Sequence, residues 1–428
     1  MIDWTGAQRG VIGSALRDGK CVTEILAELR PEDFEGEMRR YYEAFCRLSA
    51  EGKPVDKVTV VTLLGEPYVE LTLELERQTP TAANVSVYIE ICKEQSRLCQ
   101  MRKCGWDMQS APTLSLAREA LDRAAEISLD SGQNRSWSAG ECAMEWFEAL
   151  NRGEKPRYLQ TGIDPLDSTL RTTAGDYVIV AGYTSHGKSA MALQLAWGLS
   201  REKRVGYFAF EGTRMQWTNR LISFLARVPL PRVQDMEPSR EEARRCVTAC
   251  DALSRRELRF ENAAGFSVED IRARTLRERY DVIFVDYLQK VRCSSDARPF
   301  SRYQEVSAVS GALQTMGLRY GVTVYAMSQL SRAEHSGDEY VPLPGLSDLR
   351  ESGQIEQDAD AVLFVHAPFR RTKPRMRVLD VAKVRNGKLH CFFANFDGEI
   401  QTFETPTQQE AECYARLMER KKPATKAQ

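Results

Sequence analysis

Residues Gly182, Tyr183, Thr184, Ser185, His186, Gly187, Lys188 and Ser189 form a complete G-x-x-x-x-G-K-[ST] pattern. An apolar run, Tyr-Val-Ile-Val-Ala, precedes it, and Ala-Met-Ala-Leu-Gln-Leu-Ala follows with the period of a buried helix. This context constrains the fold more than the eight letters do, because a polyphosphate needs a strand–loop–helix unit around it. Gly182 and Gly187 allow a tight backbone whose N–H groups and following helix N-terminus face phosphate oxygens. Lys188 is placed to neutralise the β- and γ-phosphates, and the Ser189 hydroxyl to ligate Mg²⁺. The pattern therefore implies a nucleoside triphosphate site.

At 428 residues the chain has room for two or three domains. No apolar stretch approaches membrane-spanning length, and Met-Ile-Asp-Trp at the start lacks the pattern of a signal peptide, so a cytoplasmic protein is expected. The 11 cysteines include no C-x-x-C pair and only four histidines are present, which argues against a zinc site and for reduced thiols. A net charge of −1 means that any nucleic-acid contact comes from local groups rather than a basic field.

Residues 1–130 read as an all-helical domain, with amphipathic segments over 5–18, 31–51 and 82–102. In the third segment Tyr88, Ile91, Cys92, Leu98 and Cys99 are expected to share the core face. Residues 131–154 read as a linker. Within it Ser138 and Glu141 form a capping-box signature before a short helix whose Ala143, Trp146, Phe147 and Leu150 share one face. That face has to dock on its own domain or on a neighbouring subunit.

From 155 to 405 the pattern becomes α/β, a mostly parallel sheet flanked by helices. Strands are expected over 176–182, 204–210, 258–262, 281–286, 321–328, 361–366 and 376–384. Residues 406–428 read as a polar, disordered tail. The basic cluster Arg370, Arg371, Lys373, Arg375 and Arg377 reads as a solvated hairpin, with a DNA or subunit contact as the other reading.

Polar residues gather at strand ends, where ligands of open α/β sheets bind. Asp286 ends an apolar strand and suits the hydration shell of Mg²⁺. Glu211 follows the next strand after the loop's helix and is placed to orient or deprotonate water. Gln329 ends a third strand, where a neutral amide can sense the γ-phosphate.

The stretch 348–360, Asp-Leu-Arg-Glu-Ser-Gly-Gln-Ile-Glu-Gln-Asp-Ala-Asp, resembles the signature of DnaB-type replicative DNA helicases. So do Asp-Tyr-Leu-Gln at 286–289, Ser-Gln-Leu-Ser-Arg at 328–332 and Lys-Val-Arg-Asn-Gly at 383–387. In the first domain Asp33, Phe34, Asp56 and the Thr-Pro-Thr-Ala-Ala-Asn run at 79–84 resemble the family's helical N-terminal domain. The likeness runs from about residue 7 to 404, with a shortened segment near 64–71 and Ala-Phe-Glu-Gly at 209–212, where the family has a small residue followed by Leu-Glu-Met.

The resemblance implies a homo-hexameric ring of RecA-like ATPase domains that translocates on single-stranded DNA and opens the replication fork, working with a primase and a loader. Glu211 would activate water, Gln329 would sense nucleotide state, and Lys383 and Arg385 would reach the γ-phosphate held by the adjacent subunit. Arg350, Glu351 and Gly353 would line the channel and hold the DNA backbone. A helicase-like ring serving only as a scaffold, and a RecA-type recombination ATPase, are the alternatives. Retention of Lys188, Glu211, Asp286 and Gln329 disfavours the first; the helical domain and the 348–360 stretch disfavour the second.

Overall fold

The computed structural model describes residues 4–129, 137–293, 301–330, 340–349, 353–385 and 387–421. The chain divides into two compact units, Met1–Cys142 and Ala143–Gln428.

The first unit is helical, as expected, with more helices than periodicity reveals. Trp4–Arg17, Gly36–Ala50 and Val85–Ser110 match the three expected segments. Cys21–Glu28, Lys57–Leu64 and Val69–Gln78 are additional, and each is too short to display a clear 3.6-residue period. Leu114–Leu129 follows them. On Val85–Ser110 the buried stripe is Val85, Ile89, Cys92 and Ser96, spaced i, i+4, i+7, i+11. Of the five residues expected there, Cys92 is buried and Tyr88 and Ile91 pack partly buried against the same core, whereas Leu98 is 39% exposed and Cys99 lies outside that core.

The family-like residues of this unit serve local structure. Asp56 caps the helix Lys57–Leu64, accepting from Val58 N at 2.8 Å and Thr59 N at 2.9 Å. Asp33 accepts from Arg30 N at 2.7 Å, and buried Phe34 stacks on Tyr42 with centroids 4.8 Å apart.

The second unit is built on one nine-stranded sheet. The strands are β1 Tyr177–Gly182, β2 Val205–Ala209, β3 Leu258–Asn262, β4 Val282–Asp286, β5 Thr323–Gln329, β6 Ala361–His366, β7 Met376–Val384, β8 His390–Asp397 and β9 Thr402–Glu404. Their order is β3-β2-β4-β5-β1-β6-β7-β8-β9. Pairing is parallel from β3 through β6 and antiparallel from β6 to β9. The seven expected strands are present. β8 and β9 are not legible in the sequence because β8 is half-exposed with little alternation and β9 has three residues.

All six residues of β1 are buried, so its continuous apolar run is a strand covered on both faces. Val178 and Val180 pack with Met191 and Leu195 on one side. Tyr177, Ile179 and Ala181 pack with Leu313 and Met316 on the other. Each buried aliphatic side chain contributes about 2 kcal/mol, and together they hold rigid the strand that carries the loop.

The expectation for the C-terminal flank changes. Gln408–Lys421 is a helix rather than a disordered tail, while residues 422–428 lie outside the described residues. Thr407 and Glu410 cap it reciprocally, and Tyr414, Leu417 and Met418 cover Phe369, Met376, Val378 and Phe393. Ala139–Asn151 forms the expected linker helix with its Ser138–Glu141 capping box intact. It buries no residue: Trp146 is 66% exposed and Phe147 50%.

Candidate active site

The loop leaves β1 at Gly182 and enters the helix Lys188–Leu199. Both loop glycines are required, for different reasons. A Cβ on Gly182 would lie 2.4 Å from Val365 O, a backbone atom that cannot yield. Gly187 has φ +102°, and a Cβ there would also meet Phe403 at 2.9 Å. Ser185 has φ +67°, so the loop alternates in hand, the backbone form that makes an anion-binding concavity. Lys188 Nζ donates to Gly182 O at 2.8 Å and Tyr183 O at 3.1 Å. Burial pulls its ammonium down to about 8, against the attraction of Asp286.

The remaining strand-end groups converge on the same cavity of about 560 Å³, which is lined by Lys188, Ser189, Glu211, Asp286 and Gln329 among others. Asp286 is buried, accepts from Tyr207 Oη at 2.7 Å and is also bonded by the Ser189 hydroxyl. Burial raises its carboxyl; the two hydrogen bonds and Lys188 oppose that. Ser189 and Asp286 thus bring two hard oxygen donors together beside the phosphate loop. Among the described residues no group of three or more His, Cys, Asp or Glu could hold a metal ion. A Mg²⁺ at Ser189 and Asp286 would complete its shell with phosphate and water, as this cation commonly does.

Glu211 accepts from Tyr287 Oη at 3.0 Å and pairs with Lys290 Nζ at 3.2 Å. Both partners come from the segment directly after β4 and fix the carboxylate where it lines the cavity. Gln329 Nε2 donates to Thr184 Oγ1 at 2.8 Å, a direct link from the end of β5 to the phosphate loop. Gln289 clamps the ends of β4 and β5 by donating to Ser328 Oγ and Gln329 O at 3.1 and 3.2 Å.

Lys383 and Arg385 are not brought to this cavity. β7 runs antiparallel to β6, and Val384 pairs with Ala361, which sits beside Val178 at the start of β1. The two cations therefore lie at the sheet end opposite the phosphate loop, about 15 Å away along the strands. Lys383 Nζ donates to Glu356 O at 2.5 Å, and Arg385 pairs with Asp360 at 3.0 Å. Arg350 and Glu351 lie outside the described residues; Gly353 begins the helix Gly353–Asp358.

Comparison with known proteins matches the DnaB-like helicase C terminal domain over residues 159–405 and the DnaB-like helicase N terminal domain over 5–94. The chain belongs to the DnaB-like helicases. It is 28% identical to the replicative DNA helicase DnaB of Geobacillus stearothermophilus, over 93% of each chain. It is 30% identical to that of Leifsonia xyli subsp. xyli, over 93% of this chain and 92% of the other. A solved structure of a DnaB-like replicative helicase and its interactions with primase shares the fold at TM-score 0.67 and 23% identity, covering 94% of this chain and 99% of that one. The protein is thus a replicative DNA helicase and an ATP-hydrolysing enzyme. The match extends through both domains, which displaces the recombinase reading.

The helicase also corrects the reading of its basic cluster as a solvated hairpin. Arg371 and Lys373 are exposed as expected, but Arg377 is buried and Arg370 turns back on the phosphate loop. Sequence reasoning missed this because five cations in eight residues look alike until β6 and β7 pair. It also missed Tyr287, Gln289 and Lys290 as holders of Glu211 and Gln329, although the Asp-Tyr-Leu-Gln motif contained two of them. Phe396 of β8 and Gln401 just before β9, which line the cavity, were hidden with those two strands.

Proposed function

We propose that the cavity binds ATP with Mg²⁺ and that its hydrolysis is divided between neighbouring subunits of a homo-hexamer. Lys188 and the loop N–H groups hold the phosphates, while Ser189 and Asp286 hold the cation, which when bound would screen the phosphate charge. Glu211 orients and deprotonates the attacking water, with Tyr287 and Lys290 keeping it directed. Gln329 reports the state of the γ-phosphate through Thr184. Lys383 and Arg385 supply transition-state charge to the adjacent subunit's nucleotide. The observation that carries this reading is the polarity of the sheet: four groups at the ends of β1, β2, β4 and β5 share one cavity, and Lys383 of β7 and Arg385 just after it stand at the opposite end.

Arg350, Glu351 and Gly353 contact single-stranded DNA and fork DNA in the channel. Six subunits each contributing an arginine and backbone N–H groups suffice to grip phosphates. The exposed Trp146/Phe147 face docks on the neighbouring subunit. A solved relative described together with primase supports a primase as partner, and the family resemblance supports a loader. Among the described residues no helix is long and apolar enough to cross a membrane, which accords with a cytoplasmic place of action.

The test is ATP hydrolysis with and without single-stranded DNA, alongside nucleotide binding. Lys188→Ala should lose both binding and turnover. Glu211→Gln should stop turnover while leaving nucleotide affinity within about twofold, since it removes a base and no phosphate contact. Parental turnover by Glu211→Gln would refute its role.

A further inference from the structure

Phosphate is bound by N–H groups, and each N–H is fixed by the carbonyl before it, because the two point in opposite directions across a planar trans peptide. In this loop two of those carbonyls are gripped from behind. Arg370 Nη2 donates to Thr184 O at 3.1 Å, and Arg377 Nε donates to His186 O at 3.0 Å. The peptide partners of those carbonyls are the N–H groups of Ser185 and Gly187. These are the two loop residues held at positive φ, +67° and +102°. A non-glycine residue adopts the left-handed conformation of Ser185 only at a cost, so bonds that fix the neighbouring peptides favour this form of the loop.

The hold has the character of a built device. Arg377 is buried, and its other partners are Pro374 O at 2.7 Å, Met376 O at 2.9 Å and the Phe396 ring at 5.0 Å. Between the two arginines lies His186, fully buried, whose Nδ1 accepts from Ala367 N at 3.0 Å. A neutral imidazole then carries its proton on Nε2, so the 3.2 Å approach of Arg370 Nε to Nε2 brings two donors together. The useful bond of Arg370 is therefore the one to Thr184 O. Burial and the neighbouring cations keep His186 neutral. The hairpin that carries both arginines is itself pinned by the C-terminal helix through Phe369 and Met376.

We propose that Arg370 and Arg377 are positioning residues that preset the Ser185 and Gly187 N–H groups for the nucleotide's phosphates. This rests on the assignment of the cavity as the nucleotide site. Arg370 is exposed, so replacing it leaves the core intact. Arg370→Ala should raise KM for ATP and weaken ADP binding about tenfold, with kcat changed less than about twofold, the loss expected for one charge-assisted bond. The thermal midpoint without nucleotide should be unchanged, and the rise produced by ADP should shrink. Arg370→Lys, which can still reach Thr184 O, should recover most of the affinity. Arg371→Ala removes the same charge from the adjacent position without the contact and should bind nucleotide as the parent does.

Equal losses in Arg370→Ala and Arg371→Ala would mean a general charge effect and overturn the proposal, as would an unchanged KM in Arg370→Ala. Lys188→Ala, measured in parallel, separates the two levels. If it also binds ADP normally, the site assignment has failed rather than the positioning role. Should Arg377→Lys be folded, it should show the same KM-weighted loss, because a lysine has no Nε–H at the place that meets His186 O.

Discussion

If Lys188 holds the nucleotide's phosphates as proposed, its depressed ammonium should make nucleotide binding weaken as pH rises. In the free protein Lys188 is half-buried, and desolvation of its ammonium lowers it to about 8. Phosphates placed against it restore a strong anionic partner and return its proton affinity to the ordinary lysine range or above. Binding above about pH 8 must therefore take up a proton. At pH 7 about nine-tenths of the free protein carries the charged form, and at pH 9 about one-tenth does. The dissociation constant should thus rise about tenfold over that span, approaching one decade per pH unit. Stability of the nucleotide-free protein moves the other way. The lowered pKa penalises folding fully below about 8, and the penalty fades as pH rises towards the unfolded value near 10.4. The assay is titration of a fluorescent ADP analogue, whose phosphates stay ionised across the range, at constant ionic strength. Lys188→Arg should remove the slope because a guanidinium stays charged throughout. A flat profile in the parent, or an equal slope in Lys188→Arg, would refute the reasoning.

Arg385→Ala should retain nucleotide but lose turnover by two orders of magnitude or more, on the order seen when a trans-acting arginine is removed. Mixed with Lys188→Ala protein under subunit exchange, it should recover activity above either variant alone; a parental rate for Arg385→Ala by itself would exclude a shared site. Replacing Trp146 and Phe147 with charged residues should move the sedimentation profile towards monomers without changing the ATPase domain's unfolding, and an unchanged hexamer under dilution would show that the helix has another role. Arg350→Ala should weaken single-stranded DNA binding with no change in ADP affinity, and parental binding should fall steeply with salt; tight, salt-insensitive binding to one duplex sequence would contradict a channel contact.

The gathering of polar groups at the ends of β1, β2, β4 and β5 was legible because each group closes an apolar strand, and hydrophobic runs are visible locally. The phosphate loop and Asp286 declare themselves by residue type and position, as does the helical character of the first 130 residues. The partners of those groups were not legible. Tyr287 and Lys290 meet Glu211 only because β2 and β4 are neighbours in the sheet, although some 75 residues separate them in sequence. The tail helix was missed because its apolar residues are few, and their value depends on Phe369, Met376 and Phe393 forming a surface for them. Arg370 and Arg377 show the division most clearly. Sequence assigns a run of cations to solvent, since a charge is usually cheaper there. Only the antiparallel pairing of β6 with β7, which folds the hairpin back over the C-terminal end of β1, offers them carbonyl oxygens of the loop. Local pattern determines which segments become strands and helices; which distant side chains then satisfy one another is set by strand order, and that is a property of the folded chain.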